Sequence, residues 1–119
     1  PGGWNARQIV HHVADSHLNA YTRIKLALTE DKPTIKPYDQ DQWANLEDSL
    51  KLPLDYSLQL LEMIHYRMVY VLKSVDKAML QRTYIHPEHN REFRLDQLLA
   101  QYAWHGKHHA GHLTVIINS

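Results

Sequence analysis

Histidine is the residue type in this sequence with the clearest capacity for chemistry. The chain has 119 residues, of which ten are histidines and none is cysteine. Without thiolates, Cys-ligated zinc and iron–sulfur clusters are excluded, and any metal ion must be held by His, Asp or Glu. Most of the histidines fall into two groups, His11, His12 and His17 near the N-terminus and His105, His108, His109 and His112 near the C-terminus. A metal centre is therefore the first chemistry to consider.

The C-terminal group contains two pairs with i, i+4 spacing, His105 with His109 and His108 with His112. Side chains four residues apart share one face of a helix and can bind one ion. Steps of three and four from the first pair reach apolar residues, whereas steps from the second pair reach a more mixed face. The first pair is the better ligand candidate, although a His-rich helix surface without metal is an alternative interpretation. The apolar residues reached are Leu98, Tyr102, Leu113 and Ile116.

In the N-terminal group, His12 shares a helical face with Ile9 and Ser16, and His17 could also point inward. For each of these histidines, a hydrogen-bonded core or boundary position is the alternative to metal binding. Asp15 could orient an imidazole or be a solvated surface charge, and the surface charge is slightly favoured.

Three isolated histidines receive a simpler interpretation. His65 stands alone in a helical pattern, and His86 and His89 flank a predicted turn. We expect all three to be structural or solvent-facing.

Three long helices are predicted to position these side chains. The first runs from Asn5 to Thr29, with Asn5 and Gln8 forming a capping box, and the last runs from Leu95 to Ile117. The second begins with Pro53 at its first helical position and ends near Ser74. Its predicted apolar stripe is Leu54, Leu58, Leu61, Ile64 or His65, Met68 and Leu72. These lengths are typical of an all-α helical bundle.

The connections between the helices are predicted to be irregular or short. The acidic stretch from Pro37 to Lys51 is expected to be an irregular connection anchored by Trp43 and Leu46. Two short extended runs around a turn, from Arg82 to Arg94, predict a small β-hairpin before the last helix. A fourth helix would close the bundle, and we expect it to come from a segment before Pro1 or from a partner chain.

Composition excludes several functional classes. The chain has 13 basic and 13 acidic residues and no basic cluster, so a nucleic-acid partner is not expected. No apolar run approaches the ~20 residues that cross a bilayer, and no targeting signal is visible, so a soluble cytoplasmic protein is expected. The length predicts a single domain over 1–119, N-terminally incomplete.

Several motifs together resemble one known family. They are PGGWNARQ at 1–8, HHVADSH at 11–17, KLALTE at 25–30, IKPY at 35–38 and YAWHGKHH at 102–109. With these motifs the chain resembles the DinB-like superfamily of metalloenzymes, and most closely its branch of metal-dependent hydrolases and bacillithiol S-transferases. The resemblance covers essentially the whole chain.

The resemblance implies a four-helix bundle, often dimeric, whose first helix would precede Pro1. It also implies one divalent ion per chain, bound by one histidine of the early helix and two of the last helix. Carried over position by position, these ligands are His12, His105 and His109. Three nitrogen ligands leave open coordination positions, which is the catalytic pattern for zinc and also suits nickel, with iron or manganese as alternatives.

Two reactions fit such a site. In the first, the metal lowers the pKa of a bound low-molecular-weight thiol of the bacillithiol type, which attacks an electrophilic small molecule. In the second, a bound water hydrolyses an amide or ester. Thiol transfer is narrowly preferred on the resemblance. The sequence also shows no convincing general base for hydrolysis, although Asp15, His17 or His108 could serve as one. A non-enzymatic metal-binding dimer is the third possibility, and a homodimer is expected in each case.

Overall fold

The first helix begins at a capping box formed by two residues three positions apart in the sequence. The structure is a computed structural model and describes residues 3–100. Helix α1 spans Ala6–Thr29, preceded by the N-cap Asn5. The Asn5 side chain accepts a hydrogen bond from the Gln8 backbone N–H at 2.8 Å, and the Gln8 side chain accepts one from the Asn5 N–H at 3.0 Å. The predicted capping box is confirmed.

Two short helices replace the irregular connection predicted after α1. Helix α2 spans Gln40–Ala44 and α3 spans Glu47–Lys51. Ala44 is held against α1 because the buried Gln8 side chain donates to the Ala44 carbonyl at 2.8 Å. Trp43 packs its ring 4.6 Å from that of Tyr38, but Leu46 is 58% exposed. The prediction of Leu46 as an anchor is therefore wrong, and Ala44 occupies the buried position instead.

The second long helix lies close to its predicted bounds. Helix α4 spans Leu54–Lys73 and begins one residue later than predicted, because Pro53 is its N-cap and not its first helical residue. It packs against α1, and its buried residues agree in part with the predicted stripe. Ile64 and Met68 are buried as predicted, but Ser57 is also buried and Leu58 is 47% exposed. The short helix α5, Lys77–Leu80, follows an Asp76 cap and was not predicted.

An antiparallel hairpin lies where the sequence predicts one. Strand β1 spans Thr83–His86 and β2 spans Arg91–Arg94, with His86 paired to Arg91 next to the turn. Ile85 also exchanges backbone hydrogen bonds with the segment after α1, to Pro33 at 2.8 Å and from Ile35 at 3.0 Å. The hairpin is thereby fixed to the body of the protein.

Arg82 provides a second attachment of the hairpin, at the C-terminus of α1. Its guanidinium donates hydrogen bonds to the carbonyls of Ala27 at 2.7 Å and Glu30 at 2.9 Å. A cation at this end of a helix also interacts favourably with the helix dipole. The contact fixes where β1 begins relative to α1.

The core lies where α1, α4, the hairpin and residues 95–98 meet. Residues 95–100 are helical, and the rest of the predicted last helix lies outside the described residues. Across residues 3–100, no helix combines the length and the apolar character needed to span a bilayer. The buried apolar cluster consists of Ala20, Ile24, Ala27, Ile35, Ile64, Met68, Tyr84, Leu95 and Leu98.

Candidate metal centre

A polar cavity of about 350 Å³ lies between α1 and the hairpin, and we call it the His12 cavity. Helix α1 contributes side chains spaced along one face, and the turn of the hairpin contributes the opposite wall. Its volume lies within the range of small-molecule sites. The lining residues are His12, Ser16, Arg23, Pro37, Tyr38, Gln40, Tyr84, His86, Glu88, His89, Phe93 and Leu98.

The neighbours His11 and His12 have different roles. His11 is 3% exposed and bridges α1 to the start of α4. Its Nε2–H donates to the Leu52 carbonyl at 2.8 Å, and its Nδ1 accepts a hydrogen bond from the Ser57 hydroxyl. A carbonyl can only accept, so Nε2 carries a proton in this arrangement. Both ring nitrogens are occupied, and His11 is a structural residue.

His12 lines the cavity instead. It is 8% exposed, and its ring packs 4.7 Å from that of Trp4 in a tilted arrangement. This position agrees with what a ligand of a metal in the cavity requires. The other two predicted ligands, His105 and His109, lie outside the described residues, so the three-histidine set stays a prediction.

Two further side chains of α1, those of His17 and Asp15, have polar or charged neighbours within the protein. The half-buried His17 donates from Nδ1–H to the Val13 carbonyl at 2.8 Å, one turn back in the helix. Asp15 is half-buried, and burial together with the nearby Asp48 carboxylate raises its pKa to about 6, while His11 acts in the opposite direction. Asp15 is therefore not the solvated surface charge that the sequence analysis favoured.

The hairpin turn brings three potential metal ligands together. Ligand atoms of His86, Glu88 and His89 all lie within 4.8 Å of one another, and the two imidazole rings are 4.7 Å apart. The sequence analysis treated both histidines as structural or solvent-facing. The available signal was the His-x-x-His spacing with an intervening glutamate, which a tight turn folds onto one side. His65, by contrast, is exposed on α4, as expected.

Electrostatics favour a neutral imidazole at His86. Burial lowers its pKa below the usual value of 6.5, and the nearby His89 and Arg23 lower it further, whereas Glu88 opposes the change. Arg23 is half-buried in the cavity wall, and within residues 3–100 no carboxylate forms an ion pair with it. The His12 cavity thus combines imidazoles with one permanent cation.

Comparison with known proteins decides the family. The model of the DinB superfamily matches residues 1–113. The chain belongs to the DinB superfamily. Its membership confirms the resemblance carried by the histidine motifs, and relatives in this superfamily share the sequence over most of the chain.

Two of these relatives are Bacillus proteins named "putative metal-dependent hydrolase". The one from Bacillus mycoides (strain KBAB4) is 53% identical over 113 residues, covering 95% of this chain and 64% of that protein. The one from Bacillus cereus (strain 03BB102) is 54% identical with the same coverage. The chain therefore spans somewhat less than two thirds of the length of these relatives.

A solved structure shows the same fold over this region. YfiT from Bacillus subtilis is described as a probable metal-dependent hydrolase with an unusual four-helix bundle topology. It superimposes with a TM-score of 0.91 at 42% sequence identity, covering 95% of this chain and 65% of YfiT. The mostly helical architecture of residues 3–100 is that of this bundle family.

Proposed function

We propose that this protein is a metal-dependent enzyme acting on small molecules in the His12 cavity. The observation that carries the proposal is the position of the buried His12 in the wall of that cavity. His12 is 8% exposed, and the polar cavity that it lines has the volume of a small-molecule site. A buried imidazole facing such a cavity is suited to binding a metal ion or a substrate.

His12, His105 and His109 would hold one divalent ion. Three imidazole nitrogens suit zinc or nickel, with iron or manganese as alternatives, and leave positions open for substrate. The residues present fit this assignment, because His12 is buried at the cavity and the other two share an i, i+4 face in the sequence. When bound, the ion supplies Lewis acidity and lowers the pKa of a coordinated water or thiol.

The cavity's own residues indicate the class of substrate. Arg23 places a permanent positive charge in the wall, without a carboxylate partner within residues 3–100. A guanidinium in this situation binds carboxylate or phosphate groups well, because its planar N–H donors match their oxygens. We therefore propose small substrates that carry a negative charge.

Hydrolysis is the reaction best supported by the relatives' names, and an amide or ester is the bond that we propose. Thiol S-transfer, which the sequence resemblance implies, would use the same three histidines and the same cavity. The polar lining is compatible with either a water or a thiol. The two reactions differ in whether water or the thiol is consumed. A non-enzymatic metal-binding dimer remains the alternative in which neither is consumed.

The test is turnover by metal-stripped protein before and after addition of zinc or nickel. We would supply a panel of chromogenic esters and anilides with and without a carboxylate, and separately a low-molecular-weight thiol with a chloroaromatic electrophile. Metal-dependent ester or anilide cleavage that His12→Ala abolishes is the expected result. Thiol consumption without hydrolysis would replace the hydrolase by the transferase, and no metal-dependent turnover would contradict the enzyme assignment.

A further inference from the structure

The hairpin turn is a fixed scaffold for the side chains it carries. Pro87 restricts the backbone at the start of the turn, and Asn90 adopts a left-handed conformation with φ +45°. The His86–Arg91 pair closes the turn, and β1 is tied to the segment after α1 through Ile85. The relative positions of His86, Glu88 and His89 are therefore set by backbone structure that is anchored on the body of the protein.

The three side chains have donor atoms available for a ligand. His86 Nδ1 is buried and has no hydrogen-bond partner among residues 3–100. Leaving such an atom unpaired is unfavourable, so occupancy by a ligand would stabilise it. Glu88 and His89 are exposed, so an ion can reach them from solvent.

The donor set selects a class of ion. Two imidazoles and one carboxylate suit zinc, nickel or cobalt, whereas calcium and magnesium prefer oxygen ligands alone. Ligands of one tetrahedral zinc lie about 3.4 Å apart. Rotation of the two exposed side chains, Glu88 and His89, can close the remaining distance from the observed 4.8 Å.

The charges around the turn are compatible with a cation. Arg23 is the positive group that acts on His86, and Glu88 is the negative group that opposes it. As a ligand, the Glu88 carboxylate would offset part of the charge of the ion.

We propose that His86, Glu88 and His89 form a second divalent-metal site, for a zinc-class transition ion, in the wall of the His12 cavity. Within residues 3–100, His12 does not belong to this cluster of mutually close ligand atoms, so the site uses none of the three predicted histidine ligands. The proposal goes beyond the proposed function and does not depend on it. The cavity would then hold an ion against each of its two walls.

The experiment is zinc binding to the metal-stripped 119-residue chain, measured by equilibrium dialysis with elemental analysis. His89→Ala removes an exposed ligand and should leave the fold intact. We expect it to lose one zinc equivalent, or to weaken that equivalent by about tenfold or more. Glu88→Gln should weaken the same equivalent, and His12→Ala should leave it unchanged. His65→Ala is the matched control, an exposed histidine outside the cavity that should change nothing.

Two results would overturn the second site. One is zinc binding by His89→Ala with the stoichiometry and affinity of the His65→Ala control. The other is a wild-type chain whose zinc is lost entirely in His12→Ala. Circular dichroism of each variant shows whether its fold is intact, and Co²⁺ absorption spectra of wild type and His89→Ala give a second readout. A wild-type chain that lacks only the zinc dependent on His12 would count against the proposed function and would still support the second site.

Discussion

At the scale of single residues, the most informative contrast is between His11 and His12. Both are buried and adjacent, so composition and spacing alone do not separate them. The role of His11 depends on a long-range contact, which brings the Ser57 hydroxyl of α4 and the Leu52 carbonyl just before that helix to its ring. A long-range contact of this kind is not encoded in any local pattern, which is why the sequence analysis left both roles open.

Replacement of His11 should destabilise the protein without removing its metal. His11→Ala deletes two hydrogen bonds and leaves the Leu52 carbonyl without its donor, at a cost of about 2–3 kcal/mol in the free energy of unfolding. Urea denaturation measures this cost, with the exposed His65→Ala as control. A variant as stable as the control would show that the α1–α4 bridge contributes little.

Asp15 makes stability depend on pH. Its pKa is about 6 in the folded protein against 3.8 in the unfolded chain, so the folded state favours the protonated acid. The stability it contributes is present below pH 4 and is lost as pH rises through 6. Asp15→Asn should therefore raise the free energy of unfolding at pH 7.5 by on the order of 1 kcal/mol, after allowance for partial exposure.

The check on Asp15 is denaturation at two pH values. The gain from Asp15→Asn should disappear at pH 4, where the acid is already protonated. Asp31→Asn, at an exposed position after α1, serves as the matched control and should show no such pH dependence. An equal gain at both pH values would contradict the role of ionisation.

At the scale of elements, the sequence predicts structure that depends on residues close together in the chain. It does not predict structure that depends on long-range contacts. The Asn5 capping box is a contact between residues three apart, so the sequence located the start of α1 to within one residue. Helix α2 depends on the hydrogen bond from Gln8 to Ala44, across 36 positions of sequence. Without that contact, the residues of α2 have only the composition of an acidic linker. The same contact buries Ala44 and not Leu46, so the sequence alone did not indicate which residue is the anchor.

The attachment of the hairpin to α1 can be tested at Arg82. Arg82→Gln removes the charge and the hydrogen bonds to the carbonyls of Ala27 and Glu30. We expect the free energy of unfolding to fall by about 1–2 kcal/mol, measured by urea denaturation. Lys36→Gln, a charge loss at an exposed site, is the control. Equal effects of the two substitutions would show that the attachment does not stabilise the hairpin.

At the scale of the whole molecule, α4 presents an apolar face to solvent. Tyr70 is 80% exposed and Tyr66 is 68% exposed, with Met63 nearby on the same helix. Aromatic residues and methionine are enriched in protein–protein interfaces. The homodimer expected from the sequence stays a prediction, and the exposed tyrosines of α4 give a place at which to test it.

Sedimentation velocity tests the dimer. The wild-type chain should sediment as a dimer, and the double variant Tyr66→Glu and Tyr70→Glu should sediment as a monomer, because two buried charges would destabilise the interface. Lys77→Glu on α5 is the control for added negative charge and should leave the dimer intact. A double variant that remains dimeric would place the interface elsewhere.

The metal stoichiometry of ligand variants tests the account most directly. We would measure the metal bound to the purified wild type and to five variants by elemental analysis. The variants are His12→Ala, His105→Ala, His109→Ala, His108→Ala and His112→Ala. Every protein, including the wild type, also carries His89→Ala, which removes the zinc equivalent of the hairpin site. We predict that each of the first three substitutions abolishes the remaining ion and that the last two retain it. Retention of that ion by His12→Ala would contradict the assignment of the His12 cavity as the metal centre.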